Sequence, residues 1–458
     1  MRRSGLLLFL IAVAFLVSAQ AQGLKVLINH VGYEAEGPKR AVVLGQASDT
    51  VSHCAVRDDG TNREVFSPTA RNAGPVKKWR NWNFWTLEFD PVNKEGKYHL
   101  ECESNAGTIR SYPFAIQRDL LERNTLSDVV YYFKEQRSSG AMDKADRHLR
   151  FEGSKQGTLD AHGGWWDATG DYGKHLSHLS FSTYFNPQQI PLVVYSLLKS
   201  FDQLHHRGQP YAIRYEDRLL DEAMFGADYL VRVKVPGGSF YRSVSSEEVH
   251  QRPEGRKVAG EMKALGIFTS PEKRSGIVEN AKNDLEYEVS YRSGGGVAIA
   301  ALAMASTSPA SGEFHSHDYL KAAEDAFDYL EKNNLRLIND GKENIVDDYC
   351  ALAAATELFR ATRNPRYKAA ADRRARSLVS RLISSGGYQN YWRADNGNRP
   401  FFHASDAGFP AVSLLYYTEI ADEDTRREVL LTVRKSLESQ LNWNQEVNNP
   451  FDYARQLV

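Results

Sequence analysis

The run Gly163-Gly164-Trp165-Trp166-Asp167-Ala168-Thr169-Gly170-Asp171-Tyr172-Gly173-Lys174 gathers two carboxylates, two indoles and a lysine on glycine-rich backbone. Carboxylates can take a proton from water, indoles can stack on the faces of sugar rings, and glycines let the main chain approach a bulky polymer. The chemistry this mixture suits is hydrolysis in a saccharide cleft. Asp167 and Asp171 are then the candidate catalytic groups, and Trp165, Trp166, Tyr172 and Lys174 the candidate substrate contacts. Taken alone, Asp-x-x-Gly-Asp is more often an Asp- and Gly-rich turn that caps a helix, its carboxylates accepting backbone hydrogen bonds.

Two further clusters carry sugar-site chemistry. Tyr391-Trp392-Arg393 and His403-Ala404-Ser405-Asp406 fall between helical segments, where loops would place Tyr391, Trp392, His403 and Asp406 around one mouth of a helical domain. They can bind glucosyl units or plug the rim, and the residues alone weigh both equally. His175 and His178 sit too near the aspartates to be judged apart from them, and His205-His206 reads as a helix end.

Two unlike regions must position these groups. From Leu24 to about Arg118, short β-rich runs such as Arg40-Ala41-Val42-Val43-Leu44 and Tyr98-His99-Leu100-Glu101-Cys102 are punctuated by Gly, Pro, Asn and Asp. Roughly seven such runs predict a β-sandwich of immunoglobulin type. Trp82 and Phe84 share one face of a strand and Trp85 the other, so one face fills the sandwich core and the other packs on the next domain, in preference to a sugar-stacking platform. After Asp119 the period becomes helical. Ile345, Tyr349, Leu352, Thr356 and Phe359 form one stripe, and Tyr319, Ala322, Ala326 and Tyr329 another. About nine helices without intervening strands predict a toroid of helical hairpins, an all-α (α/α)6 architecture. Pro236 to Glu288 has little periodicity, and a connection of that length is expected to line or cap a cleft.

Arg2 and Arg3, the apolar run Leu6–Val17 and Ala19-Gln20-Ala21 read as a secretory signal peptide over residues 1–21, cleaved near Ala21. No later segment approaches the roughly 20 apolar residues of a membrane span, so an exported, soluble protein is expected, secreted or periplasmic. With 57 basic and 58 acidic residues, charge points to neither nucleic acid nor an anionic membrane as partner. A neutral polysaccharide fits. The oligomeric state is not readable. Three cysteines are too few for a disulfide scaffold and match no zinc spacing. Cys54 and Cys102 either pair or stay apart, and Cys350, among apolar helical residues, reads as a buried thiol.

Gly164-Trp165-Trp166-Asp167 with Gly170-Asp171 and Lys174 resembles the signature region of family 9 glycoside hydrolases, the inverting cellulases. Asn29-His30-Val31-Gly32-Tyr33 and Gly37-Pro38-Lys39-Arg40-Ala41-Val42 are similar to the opening of the immunoglobulin-like domain that precedes many of their catalytic domains. Tyr291-Arg292-Ser293-Gly294-Gly295-Gly296, Ala353 to Leu358 and Asn449-Pro450-Phe451 with Tyr453 agree in order. The resemblance and the neighbouring tryptophans favour a site over a plain turn. It implies a sandwich over residues 22–118, a catalytic toroid over 119–458, and cleavage of β-1,4 bonds in cellulose or a related β-glucan with inversion. Asp171 would be the base that deprotonates water and Asp167 its partner, on the far side of the bond from an acid roughly 6.5–9.5 Å away. Thr169 lengthens the family's Asp-Ala-Gly-Asp element by one residue, and either bulges out or re-aims a carboxylate. No cofactor is implied, although some members bind a structural calcium. The family's glutamate acid follows the Asn-Pro-Phe region, so it is expected beyond Val458, with the last helices of the toroid missing. Another β-glycan or aminosugar glycosidase on the same scaffold, or a noncatalytic glycan-binding protein, are the alternatives.

Overall fold

The computed structural model describes residues 23–177, 188–246, 252–260, 287–338, 341–403 and 405–458. The leader over residues 1–21 and His178 therefore lie outside the described residues. The chain forms two compact units, one running to Leu121 and including Val447–Tyr453, the other comprising Glu122–Glu446 and Ala454–Val458.

The first unit is a sandwich of two sheets. One orders the strands Lys25–Leu27, Arg40–Gln46, Trp82–Glu88 and Arg71–Pro75. The other orders Tyr33–Glu34, Phe114–Gln117, Gly96–Ser104, Val51–Asp58 and Glu64–Phe66, with Gly107–Arg110 beside Gly96–Ser104. Short runs such as Tyr33–Glu34 carry too little periodicity to announce themselves, which is why fewer strands were legible. Alternation of side chains does what the sequence predicts. Val43, Trp85 and Leu87 point into the core against Val56, Leu100, Phe114 and Ile116. Val42, Leu44 and Phe84 point the other way and are covered by Phe451, whose ring lies 5.6 Å from that of Phe84. Gly32 is required where it stands: its φ is +112°, and a Cβ there would meet the carbonyl oxygen of Ala115.

Cys54 and Cys102 are directly opposed on adjacent strands and form a disulfide, closing the alternative left open above. Replacing both by serine is expected to lower the stability of this unit by about 2–4 kcal/mol, because the unfolded chain regains the freedom of the closed loop. Urea unfolding of the two forms checks this, and equal midpoints would refute it.

The second unit has ten α-helices among the described residues: α1 Leu120–Glu135, which begins in the first unit, α2 Gly140–Asp146, α3 Ile190–Arg207, α4 Ile213–Arg232, α5 Gly296–Ala305, α6 Ser316–Asn333, α7 Ile345–Thr362, α8 Pro365–Val379, α9 Phe409–Tyr417 and α10 Glu423–Gln445. All but the short α2 were legible as periodic segments. From α3 onward they alternate between two layers. α3, α5, α7 and α9 pack side by side, and α4, α6, α8 and α10 each back onto the preceding inner helix. Composition explains the split. α5 is apolar throughout and buried at every position, so it can only be an inner helix, whereas α4, α6 and α8 carry one buried stripe each. Gly296 lets α5 approach α7 closely, since a Cβ there would come 2.7 Å from Cys350. That thiol is buried, as expected, and its pKa is pushed up by burial.

The expectation of helices without strands is corrected. A five-stranded sheet orders Thr158–Leu159, Leu149–Phe151, Arg256–Ala259, Ser243–Ser246 and Lys174–His175. Two of its strands come from the aperiodic stretch after Pro236, and two-residue pairings have no period to read. Tyr391 and Trp392 lie not in a loop but in the hairpin Leu382–Ser385 with Tyr388–Trp392.

Candidate active site

The aspartate run is a folded-back loop pinned at both ends. Asp171 N–H donates to the carbonyl of Ala168 at 2.9 Å, closing a tight turn with Thr169 and Gly170 at its tip, where Gly170 has a φ of +86°. Thr169 thus lies at the tip of the turn, between the two aspartates. One residue further out, Asp167 N–H donates to Gly173 O at 2.8 Å, so the two aspartates flank one short hairpin. Both are half-buried. Asp171 Oδ1 accepts the N–H of Gly173 at 3.0 Å, which orients that carboxylate.

The side of the loop before the aspartates is held by an extended pairing of Gln136–Ser138 with Gly164–Trp166: Trp166 N–H donates to Gln136 O and Ser138 N–H to Gly164 O. Side chains alternate across this pairing. Trp166 stays beside the aspartates, half-buried, its ring edge-on to Tyr172 at 4.8 Å. Trp165 turns the opposite way, into the core, 3% exposed. Its Nε1–H donates to Glu222 at 2.6 Å, and Gly226 supplies the space for its ring. The expectation of Trp165 as a stacking platform is therefore corrected: its indole is an anchor. Glu222 is held in turn by Arg137 at 2.8 Å.

Lys174 also leaves the list of substrate contacts. It is fully buried, 2.7 Å from the equally buried Asp146 of α2, and donates to the carbonyls of Ala161 and Gly163. Its ammonium lies 4.9 Å from the Tyr229 ring centre. Desolvation lowers its pKa to about 8 even though Asp146 pulls the other way. Asp146 has a second cation. Arg256 donates to its two oxygens at 2.5 and 2.8 Å, and the remaining arm of the guanidinium donates to Tyr172 O at 2.7 Å. One buried carboxylate therefore gathers two cations, each of which grips the main chain of the loop.

Gly164 is fixed by two constraints at once. Its φ is +70°, and a Cβ would stand 2.8 Å from the Tyr229 ring. Gly164→Ala is expected to destabilise the second unit by about 1–3 kcal/mol through strain and overpacking, read as a lowered urea midpoint. An unchanged midpoint would show that the loop can shift freely.

His403 and Asp406 stand at the start of α9 and are buried. His403 Nδ1 accepts the N–H groups of Ser405 and Asp406, so this tautomer carries its proton on Nε2. Asp406 accepts Gln188 N–H at 3.2 Å, and Gln188 Nε2 donates to Arg292 O at 2.8 Å, tying together the starts of α9, α3 and α5. Tyr391 is buried as well, its hydroxyl donating to Asn398 O at 2.7 Å, while Trp392 is half-buried against the helical core. Burial of Tyr391, His403 and Asp406 fits the plugged rim of the two readings left open above, and their polar atoms organise backbone.

The structure therefore brings Asp167, Asp171, Trp166 and Tyr172 together, and sets Trp165 and Lys174 beneath them as supports. Sequence reasoning missed Asp146, Arg256 and Glu222. No motif marks them, and the available signal was indirect: a lysine inside a glycine-rich buried loop needs a counter-ion. Among the described residues no group of three or more His, Cys, Asp or Glu is placed to hold a metal ion. Nor is any helix among them long and apolar enough to cross a membrane.

Solved structures with a similar fold include a Bacteroides ovatus family 9 glycoside hydrolase, 20% identical, with a TM-score of 0.59 over 94% of this chain and 75% of that one. A zinc-binding triple mutant of a family 9 endoglucanase is likewise 20% identical, with a TM-score of 0.61 over 92% of this chain and 74% of that one. A cellodextrinase of Butyrivibrio fibrisolvens is 25% identical over 179 residues, which is 35% of this chain and 30% of the cellodextrinase. The profile of the cellulase N-terminal ig-like domain matches residues 21–106, in the sandwich. The glycosyl hydrolase family 9 profile matches residues 123–447, which take in the aspartate loop, the buried cations beneath it and both helical layers, and the chain belongs to that family.

Proposed function

We propose that the protein hydrolyses β-1,4-glucosidic bonds of cellulose or a related β-glucan with inversion, Asp171 acting as base and Asp167 helping to hold the attacking water. The observation that carries this reading is the pinned turn, which keeps two half-buried aspartates on one short hairpin beside Trp166 and Tyr172. The names of the relatives, a cellodextrinase and an endoglucanase, agree with a β-glucan substrate. Water attacks the anomeric carbon as Asp171 takes its proton, and the bond to the leaving oxygen breaks on the opposite face. Export by the leader at residues 1–21 belongs to the same proposal, since a polysaccharide is met outside the cell.

An aryl glycoside tests the base half by itself. The leaving group of 2,4-dinitrophenyl β-cellobioside departs as a stable anion and needs no acid. The chain should release dinitrophenolate and form α-cellobiose first, as seen by proton NMR. β-Cellobiose as first product would overturn inversion. Tight binding of cellohexaose by calorimetry with no release would instead favour a noncatalytic glycan-binding protein. Comparison of cellulose, xyloglucan and chitosan oligosaccharides separates the glycosidase alternatives.

A further inference from the structure

We propose that Arg256 is a positioning residue for the base, acting on Asp171 through a single peptide group; the inference rests on the hydrolytic reading above. The guanidinium is buried, and two of its arms are fixed on Asp146. The third, Nη1, donates to the carbonyl of Tyr172. That carbonyl and the N–H of Gly173 belong to one planar peptide group. The same N–H donates to Asp171 Oδ1 at 3.0 Å. Arg256 therefore grips one end of a rigid plane whose other end holds the base. Rotation of this plane by a few tens of degrees would draw the donor away from the carboxylate, and the charged donor at the carbonyl polarises the amide in the sense that strengthens its N–H.

The origin of Arg256 adds to the argument. It opens the strand Arg256–Ala259, which pairs with Ser243–Ser246, and this in turn pairs with Lys174–His175 directly after the loop. The aperiodic stretch beyond Pro236 thus reaches the aspartate loop twice, once by a ladder and once by this side chain. Lys174, by contrast, holds the loop on the side before the aspartates, at Ala161 and Gly163. The two cations divide the work, and of the two it is Arg256 that acts on the peptide touching Asp171.

Two substitutions separate positioning from folding. Arg256→Lys keeps a cation for Asp146 but lacks the fork that reaches carboxylate and carbonyl together. Arg256→Met removes one of two cations facing a single carboxylate and leaves the Asp146–Lys174 pair balanced, so the fold has a second chance to persist. On 2,4-dinitrophenyl β-cellobioside each is expected to lower kcat by about 10- to 100-fold at unchanged KM, the scale of a base displaced by about an ångström. Thermal melts establish the folded fraction, and azide supplies the decisive readout. Azide attacks without giving up a proton. It should restore dinitrophenolate release in the variants as α-cellobiosyl azide forms, the new carbon–nitrogen bond replacing the carbon–oxygen bond to the aryl group. Wild-type kcat in both variants would overturn the inference, and so would a loss that azide does not restore, which marks a purely structural role. Asp171→Asn run in parallel keeps the two readings apart. If Asp171→Asn is inactive while the Arg256 variants are normal, only this inference fails. If it turns over normally, the base assignment fails and this inference with it.

Discussion

Asp171→Asn is expected to lower turnover of 2,4-dinitrophenyl β-cellobioside by about 100- to 10,000-fold, the range that a positioned general base contributes. The substitution suits the test because asparagine keeps the shape of the side chain and its Oδ1. It can still accept the N–H of Gly173, so the hairpin between Asp167 and Gly173 has no reason to rearrange. What is lost is the proton acceptor. KM should change little, since the variant removes an interaction made with water in the transition state and not with the sugar. Azide should return activity, because an anionic nucleophile needs no base. Asp167→Asn should be milder, as a residue that holds the water without receiving its proton. A variant at position 171 with wild-type turnover would remove the base assignment, and a larger effect at 167 than at 171 would exchange the two roles.

The parts of this molecule that were legible are those where one residue type carries its own physical reason. Helical patterning announced nine of the helices, and alternation separated Trp85 from Phe84, of which the structure puts Trp85 in the sandwich core and Phe84 on the opposite face. The aspartate run was less legible by itself, since two carboxylates on glycine-rich backbone are more often a plain turn, and only the neighbouring tryptophans and the family resemblance favoured a site there. What misled was the polar or aromatic side chain read without its partner. Trp165 and Lys174 resemble substrate contacts by type, yet strand alternation turns one inward and Asp146 draws the other beneath the loop. Tyr391, His403 and Asp406 are sugar-site residue types that here bind backbone N–H or C=O groups at element ends. Arg256 was illegible for a different reason. It lies over 80 residues from the loop it holds, on a strand of four residues, and only the fold brings it there.

Asp146→Ala should be the most destabilising single change near the site, costing about 3–5 kcal/mol, because it strands two buried cations without their shared carboxylate. Lys174 and the Arg256 side chain are wholly buried, and neither can turn to water without releasing the carbonyls of Ala161, Gly163 and Tyr172. The loss should depend on pH in a definite direction. Burial already depresses the Lys174 pKa to about 8 in the folded protein, and Asp146 is the main influence holding it up, with a smaller one from Asp143 and an opposing one from Arg256. Without Asp146 the folded-state value falls further, while the unfolded chain keeps an ordinary lysine. Between the two values the unfolded state binds more protons than the folded one, so stability rises with pH across that window. In the wild type the window opens only near pH 8. In the variant it opens lower, so a urea midpoint that is depressed at pH 6 should recover in part by pH 8, as Lys174 sheds its proton and only Arg256 remains charged. Asp146→Asn should follow the same course with a smaller loss, since its amide oxygen still accepts one hydrogen bond. A variant less than about 1 kcal/mol below the wild type at pH 6 would show that the loop is not held by this charge cluster, and a deficit that grows with pH would show that Lys174 is not the cation left stranded.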